Sequence, residues 1–136
     1  MLAFDTAHDG AVSARVGREC GAQAQVVRAD TAGEMLSTFG HLDMVVALRM
    51  HAAIFSVITG VPAAVLSYDP KCDAFCAEAG LSAPLAIGGI SSERLSRELA
   101  ECWEAREERA ARARVAAVRM RARALLNIEM AVSAVR

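Results

Sequence analysis

The sequence predicts an α/β fold built on a parallel sheet, and three observations predict it. Short apolar runs, of which Met44-Val45-Val46-Ala47 and Ala63-Ala64-Val65-Leu66-Ser67 are the clearest, alternate with longer stretches of helical spacing. The punctuation between them suits strand–helix turns: Gly60 and Pro62 stop one helical stretch, Asp69-Pro70 opens the next, and Gly80 closes it. A chain of 136 residues is also long enough to bury one core of ordinary size. Strand, helix, strand at this spacing makes βαβ units with right-handed crossovers. Continuously apolar strands belong to a parallel sheet covered on both faces.

Taken in order, Leu2-Ala3-Phe4 reads as the end of a strand and Asp9 to Cys20 as a helix. Asp5, His8 and Asp9 follow that strand and either face a cleft or cap the helix; for Asp9 the cap is favoured. Gln25-Val26-Val27 is a short strand. Thr31 to Phe39 is helical, with Thr31 three residues before Glu34 at the spacing of a capping box. Met44 to Ala47 is a buried strand, Met50 to Thr59 an apolar helix, and Ala63 to Ser67 a second buried strand. Asp69 is an N-cap and Pro70 the first helical residue of a helix ending at Gly80. Leu85-Ala86-Ile87 is a last short strand before Gly88-Gly89. The whole is expected to be a Rossmann-like domain over residues 1–90, incomplete at its N-terminus, and that fold alone fixes no chemistry.

Residues 91–136 differ in kind. From Ser92 to Ser133 there is neither Gly nor Pro, so one long helix is expected. Leu95, Leu99, Cys102 and Trp103 keep helical spacing and are expected to dock on the sheet. Beyond them Arg112, Arg114, Arg119, Arg121 and Arg123 run unmatched by acids until Glu129. The run is either a solvated face, which fourteen Arg against one Lys favours as compositional bias, or a contact for anions or nucleic acid. The cluster Leu125, Leu126, Ile128, Met130 and Val132 has no core of its own to join and is expected to pack on another domain or subunit.

A net charge of -1 gives no reason to expect nucleic acid as a partner. No apolar run reaches the length of a membrane span, and the N-terminus lacks the basic-then-apolar pattern of a signal peptide. The chain therefore reads as soluble and cytoplasmic. Its four cysteines, Cys20, Cys72, Cys76 and Cys102, read as free thiols rather than disulfides. Cys72 and Cys76 share a helix face, but one such pair is weak ground for a metal or redox site.

Chemistry-bearing residues concentrate in two turns. In the first, a buried strand runs through Ala47-Leu48 into Arg49-Met50-His51 as a helix begins. Ligands of open α/β sheets bind outside the carboxyl ends of the strands, and a helix N-terminus there favours anions. Arg49 adds a planar fork for a carboxylate or phosphate, and His51 a proton that moves near neutral pH. The alternative for His51 is a packed or capping side chain. In the second turn, Ser67-Tyr68-Asp69-Pro70-Lys71, the sole lysine sits in the first turn of a helix, against the dipole unless an anion compensates. Tyr68 either hydrogen-bonds a ligand or covers the core.

Asp43 through Arg49-Met50-His51-Ala52 to Gly60-Val61-Pro62, then Ser67-Tyr68-Asp69-Pro70-Lys71 and Phe75, resembles the polysaccharide pyruvyl transferase family, its CsaB-type branch most closely. That family shows Arg-Leu-His-Ala, then Gly-Val-Pro, then Ser-Tyr-Asp-Pro-Lys; here Met50 replaces Leu, a volume-conserving change. The likeness is good over residues 25–80 and looser before and after them. It implies the C-terminal portion of a glycosyltransferase-B-like architecture, in which two Rossmann-like domains face a cleft. It further implies transfer of pyruvate from phosphoenolpyruvate to a sugar as a cyclic ketal, without a cofactor or metal. His51 is then the general acid. Arg49 and Met50 lie in the donor-binding motif, Tyr68 beside it, and Lys71 neutralises the departing phosphate. For the CsaB-type branch the implied acceptor is a lipid-linked or polymeric cell-wall sugar, ManNAc being the expected residue, and the product anchors S-layer proteins. Location would be cytoplasmic, with a peripheral place at the inner face of the membrane left open. Family members carry an additional domain ahead of this one, so this segment is expected to be a fragment, a truncated gene product or half of a split enzyme, lacking an N-terminal domain or second subunit and inactive alone. Two rival readings are a glycosyltransferase-B-type nucleotide-sugar transferase or epimerase half, and a non-catalytic interaction module.

Overall fold

A computed structural model describes residues 2–3, 6–21 and 24–135. The chain divides into two compact units, Met1–Thr38 and Phe39–Arg136. The expectations at Phe4 and Asp5 lie outside the described residues.

The first unit opens with a βαβ arrangement: β1 (Leu2–Ala3), α1 (Thr6–Glu19) and β2 (Val27–Arg28). β1 and β2 pair in parallel, Leu2 opposite Val27 and Ala3 opposite Arg28. α1 begins at Thr6 rather than near Asp9. Asp9 is therefore not the cap but an acid in the first turn, where the dipole still favours it; His8 also falls within α1. α2 (Ala32–Phe39) opens with the reciprocal box that its sequence predicts. The Glu34 N–H donates to Thr31 Oγ1 (3.2 Å), while the Thr31 and Asp30 N–H groups donate to Glu34 Oε2 (3.1 and 2.8 Å).

The second unit holds a three-stranded parallel sheet in the order β3 (Val45–Ala47), β4 (Ala63–Ser67), β5 (Leu85–Ala86). The described strands thus form two sheets where one was expected. Crossovers α3 (Met50–Thr59) and α4 (Pro70–Ala79) touch each other and the strands that they follow. β3 is buried at Val45 and Ala47 but 47% exposed at Val46, so the expected cover on both faces is missing there.

The stretch expected as one long helix is two, α5 (Ser92–Glu104) and α6 (Arg106–Ala134), joined at Ala105. No breaker residue marks the joint. Side-chain contacts support it instead: Arg106 Nη1 donates to the Trp103 carbonyl (3.0 Å), and its guanidinium lies 4.6 Å over the Trp103 ring. α5 contacts β4, with Cys102 fully buried, but Trp103 is exposed rather than docked. α6 lies instead along α3 and α4. It approaches through small residues, Ala110, Ala113 and Ala116, all buried. Val57, Ala79 and Ala116 form a core cluster there, flanked by Phe75, Leu81, Ala117 and Met120. Burying a side chain such as Val57 contributes about 1.5–3 kcal/mol.

The arginine run is not unmatched. Arg112 pairs with Glu108 and Arg123 with Glu78, while Arg119 donates to the Glu78 carbonyl near the C-terminus of α4. A guanidinium at that position satisfies an orphan carbonyl and meets the negative end of the dipole. Arg109 pairs with Glu98 across the α5–α6 joint at 3.3 Å. Leu125, Leu126, Ile128, Met130 and Val132 are all exposed.

Candidate functional site

Register places the two chemistry-bearing turns side by side. Ala47 pairs with Val65, and β4 runs two residues further to Ser67, which pairs with Ala86. Arg49, Met50 and His51 therefore leave β3 at the same carboxyl edge where Tyr68 and Lys71 leave β4. The Ile87 N–H donates to the Ser67 carbonyl (3.0 Å), which brings the third turn, Ile87 to Ser91, to that edge too. Sequence reading assigns this third turn no role. The signal for it is the Gly88-Gly89 pair that follows a strand and precedes the Ser91 cap of α5.

The starts of α3 and α4 differ in a way the sequence alone does not show. At α4 the Asp69 carboxylate accepts the Lys71 N–H (2.9 Å), Pro70 removes one donor, and Ser67 Oγ donates to the Asp69 carbonyl (3.1 Å), fixing the turn. At α3 the N-cap is Arg49, extended at φ -92° and ψ 139°, and it makes no side-chain cap. Its carbonyl accepts from the Ala52 N–H (2.9 Å), leaving the N–H groups of Met50 and His51 as the orphan donors of an uncapped helix. An uncapped N-terminus carrying Arg49 has the chemistry to hold a carboxylate or phosphate.

Arg49 and Met50 are half-buried; His51 and Lys71 are exposed, and Tyr68 is 56% exposed. Tyr68 therefore does not cover the core. The edge is an open shelf on which His51, Tyr68 and Lys71 are exposed. A groove of about 500 Å³ belongs to the first unit, lined by Ala14, Gly17, Arg18 and Val26 among others, and it lacks converging polar groups.

The two cysteines of α4, beside this edge, are held as thiols. Cys72 and Cys76 are free and buried in α4. Burial first, then the charges of Cys72 and Asp73, push the Cys76 thiol up to about 11. Among the described residues no group of three or more His, Cys, Asp or Glu side chains is placed to hold a metal ion. Nor is any described helix long and apolar enough to cross a membrane.

No curated protein and no solved structure matches the chain. Residues 18–70 match the family model of polysaccharide pyruvyl transferase. The matched stretch takes in Arg49, Met50, His51 and Tyr68 and stops one residue short of Lys71. This match supports the polysaccharide pyruvyl transferase family, a family of transferases, for the segment that carries the candidate site.

Proposed function

We propose that this chain supplies the donor-binding half of a CsaB-type pyruvyl transferase, which takes pyruvate from phosphoenolpyruvate to a cell-wall sugar as a ketal. The observation that carries this reading is the uncapped start of α3, bearing Arg49 and His51 inside the family match, beside the turn that bears Tyr68 and Lys71. Phosphoenolpyruvate carries a carboxylate and a phosphate, and this edge offers an anion-seeking helix start with a cation on each of two turns.

In the proposed reaction the carboxylate or phosphate sits on the Arg49 guanidinium and the first-turn N–H groups of α3. His51, as imidazolium, gives its proton to the methylene carbon of the enol, and positive charge develops at the adjacent carbon. One sugar hydroxyl adds there and returns a proton to His51. Phosphate then leaves, stabilised by Lys71, and a second hydroxyl closes the ketal and loses its proton. Met50 and Tyr68 flank the donor. Each step is a proton transfer, addition or elimination, for which donor, diol and His51 suffice.

The open shelf fits a donor half that works against a second wall, contributed by a further domain or subunit of glycosyltransferase-B-like architecture that holds the acceptor. A lipid-linked sugar such as ManNAc as acceptor would place the reaction at the cytoplasmic face of the membrane, with an S-layer-anchoring polymer as its product.

Calorimetric titration of the chain with phosphoenolpyruvate tests this, with UDP-GlcNAc in parallel and Arg49→Ala and His51→Ala as controls. Phosphoenolpyruvate is expected to bind, Arg49→Ala to lose that binding, and His51→Ala to keep most of it. Binding of UDP-GlcNAc alone would replace this reading with that of a nucleotide-sugar transferase. Absence of both from a folded sample would remove the case for a donor site in the chain alone.

A further inference from the structure

From Arg121 to Val135 every residue of α6 and its cap is exposed. The apolar residues along this end are ordered. At 3.6 residues per turn, Val118, Ala122, Leu125, Ile128 and Val132 fall within an arc of about 120°. Among the larger of them, exposures run from 49% at Leu125 to 74% at Val118. Two charged residues share the arc, Arg121 and Glu129, and among the described residues neither takes part in an ion pair.

The stripe reads the same in both directions from Leu125. Ala122 and Ile128 lie three residues to either side, Arg121 and Glu129 four, and Val118 and Val132 seven; Val115 and Val135 continue the pattern at ten. A two-fold axis through Leu125 brings the members of each pair to the same level of the interface, and those nearest the centre of the arc face one another. Leu125 then meets itself, Val118 meets Val132, and Arg121 meets Glu129 twice. Such a surface is self-complementary in the sense an isologous interface requires. Val115 and Val118 also sit two residues beyond Ala113 and Ala116, on the far side of the helix from the face docked against the domain. A lipid surface would leave Glu129 without a cation in the middle of the apolar arc, whereas a second copy supplies Arg121.

We propose that α6 pairs antiparallel with α6 of a second copy of this chain about a two-fold axis at Leu125. Such a dimer is independent of the donor site proposed above. It is held by the mirrored stripe, with two Arg121–Glu129 pairs fixing its register.

Sedimentation equilibrium of the full chain over micromolar concentrations tests it. The wild type is expected to dimerise. Arg121→Glu and Glu129→Arg each set like charges opposite one another at two places, and each is expected to raise the dimer Kd about tenfold. The double swap R121E/E129R restores opposite pairing and is expected to return Kd to near the wild-type value. Leu125→Cys in a Cys20→Ser background is expected to cross-link to itself on oxidation, because the axis brings its two copies together. All these positions are exposed, and unchanged far-UV circular dichroism would show the variants folded. A wild type that stays monomeric overturns the proposal. So does a dimer whose Kd the double swap fails to restore, or one in which Leu125→Cys forms no cross-link.

Discussion

α3 and α4 follow neighbouring strands of one sheet, each is ten residues long, and both close on a left-handed glycine, yet they begin differently. α4 starts with Asp69 and Pro70, which satisfy or remove its first donors locally. α3 starts with Arg49 and has no side-chain cap. A cap of this kind is worth about 1 kcal/mol. α4 therefore starts in the way that favours stability, and α3 forgoes that term; under the proposed function its first N–H groups face the anionic donor instead. Two helix starts in one edge thus differ in their caps, and the proposed function assigns the ligand to the uncapped one.

Exchanging those roles should give the largest effect. Arg49→Asp gives α3 an acidic cap and removes the cation in one step. Phosphoenolpyruvate affinity is expected to fall about hundredfold, the loss of a charge-assisted hydrogen bond plus like-charge repulsion. Stability should change by no more than about 1 kcal/mol, the size of one cap. Calorimetry and thermal melts read the two separately, and unchanged affinity would break the comparison.

The C-terminal ends of the same helices sharpen it. Gly60 (φ 71°) and Gly80 (φ 68°) adopt the same conformation, and their N–H groups donate in the same cap pattern, but their surroundings differ. A Cβ at Gly60 would lie 2.7 Å from Cγ of Arg114, whereas one at Gly80 would meet only Arg119 Nη2, at 3.9 Å. Alanine in the left-handed region costs about 1 kcal/mol. Gly80→Ala is expected to lose about that much and Gly60→Ala about 2 kcal/mol. Adding Arg114→Ala should bring the Gly60 variant close to the Gly80 one in denaturant unfolding.

Removing the α4 cap is the smaller, reciprocal change. Asp69→Ala is expected to cost about 1 kcal/mol and lower the melting temperature by a few degrees. Phosphoenolpyruvate affinity should not fall, because the change removes a carboxylate from the edge and frees the Lys71 N–H. A loss of affinity as large as that at Arg49 would mean that both starts serve the ligand.

Much of this was legible in the sequence, and the reason is local. β4, α3 and α4 have the bounds expected because Gly60, Pro62, Asp69-Pro70 and Gly80 act on their own backbone within one turn. The joint at Ala105 was hidden because nothing in Glu104-Ala105-Arg106 breaks a helix. What divides α5 from α6 is where each docks, on β4 or on α3 and α4, and that is a tertiary outcome. The arginine run misled for the same reason: the partners of Arg119 and Arg123 lie 41 and 45 residues away at Glu78, and one of them is a backbone carbonyl. At the candidate site the residue types were legible, but the missing cap of α3 was not, since it depends on the backbone and side-chain course of Arg49.

A third helix start gives the finest test of what a cap contributes. α2 opens with a reciprocal box, and hydrogen bonds from the N–H groups of Asp30 and then Thr31 hold the Glu34 carboxyl below its ordinary value of 4.5. The folded state thus binds that proton less readily than the unfolded chain. The contribution of Glu34 is therefore fully present above the ordinary carboxylate range and is lost as pH falls through the depressed folded value. Glu34→Gln keeps an acceptor but cannot titrate. Thermal melts of wild type and variant are expected to differ slightly at about pH 6 and to converge once the pH falls below the depressed folded value. A difference that persists unchanged in acid would show that the box acts through geometry rather than through the charge of Glu34. The closed starts would then differ from the start of α3 in hydrogen bonding alone.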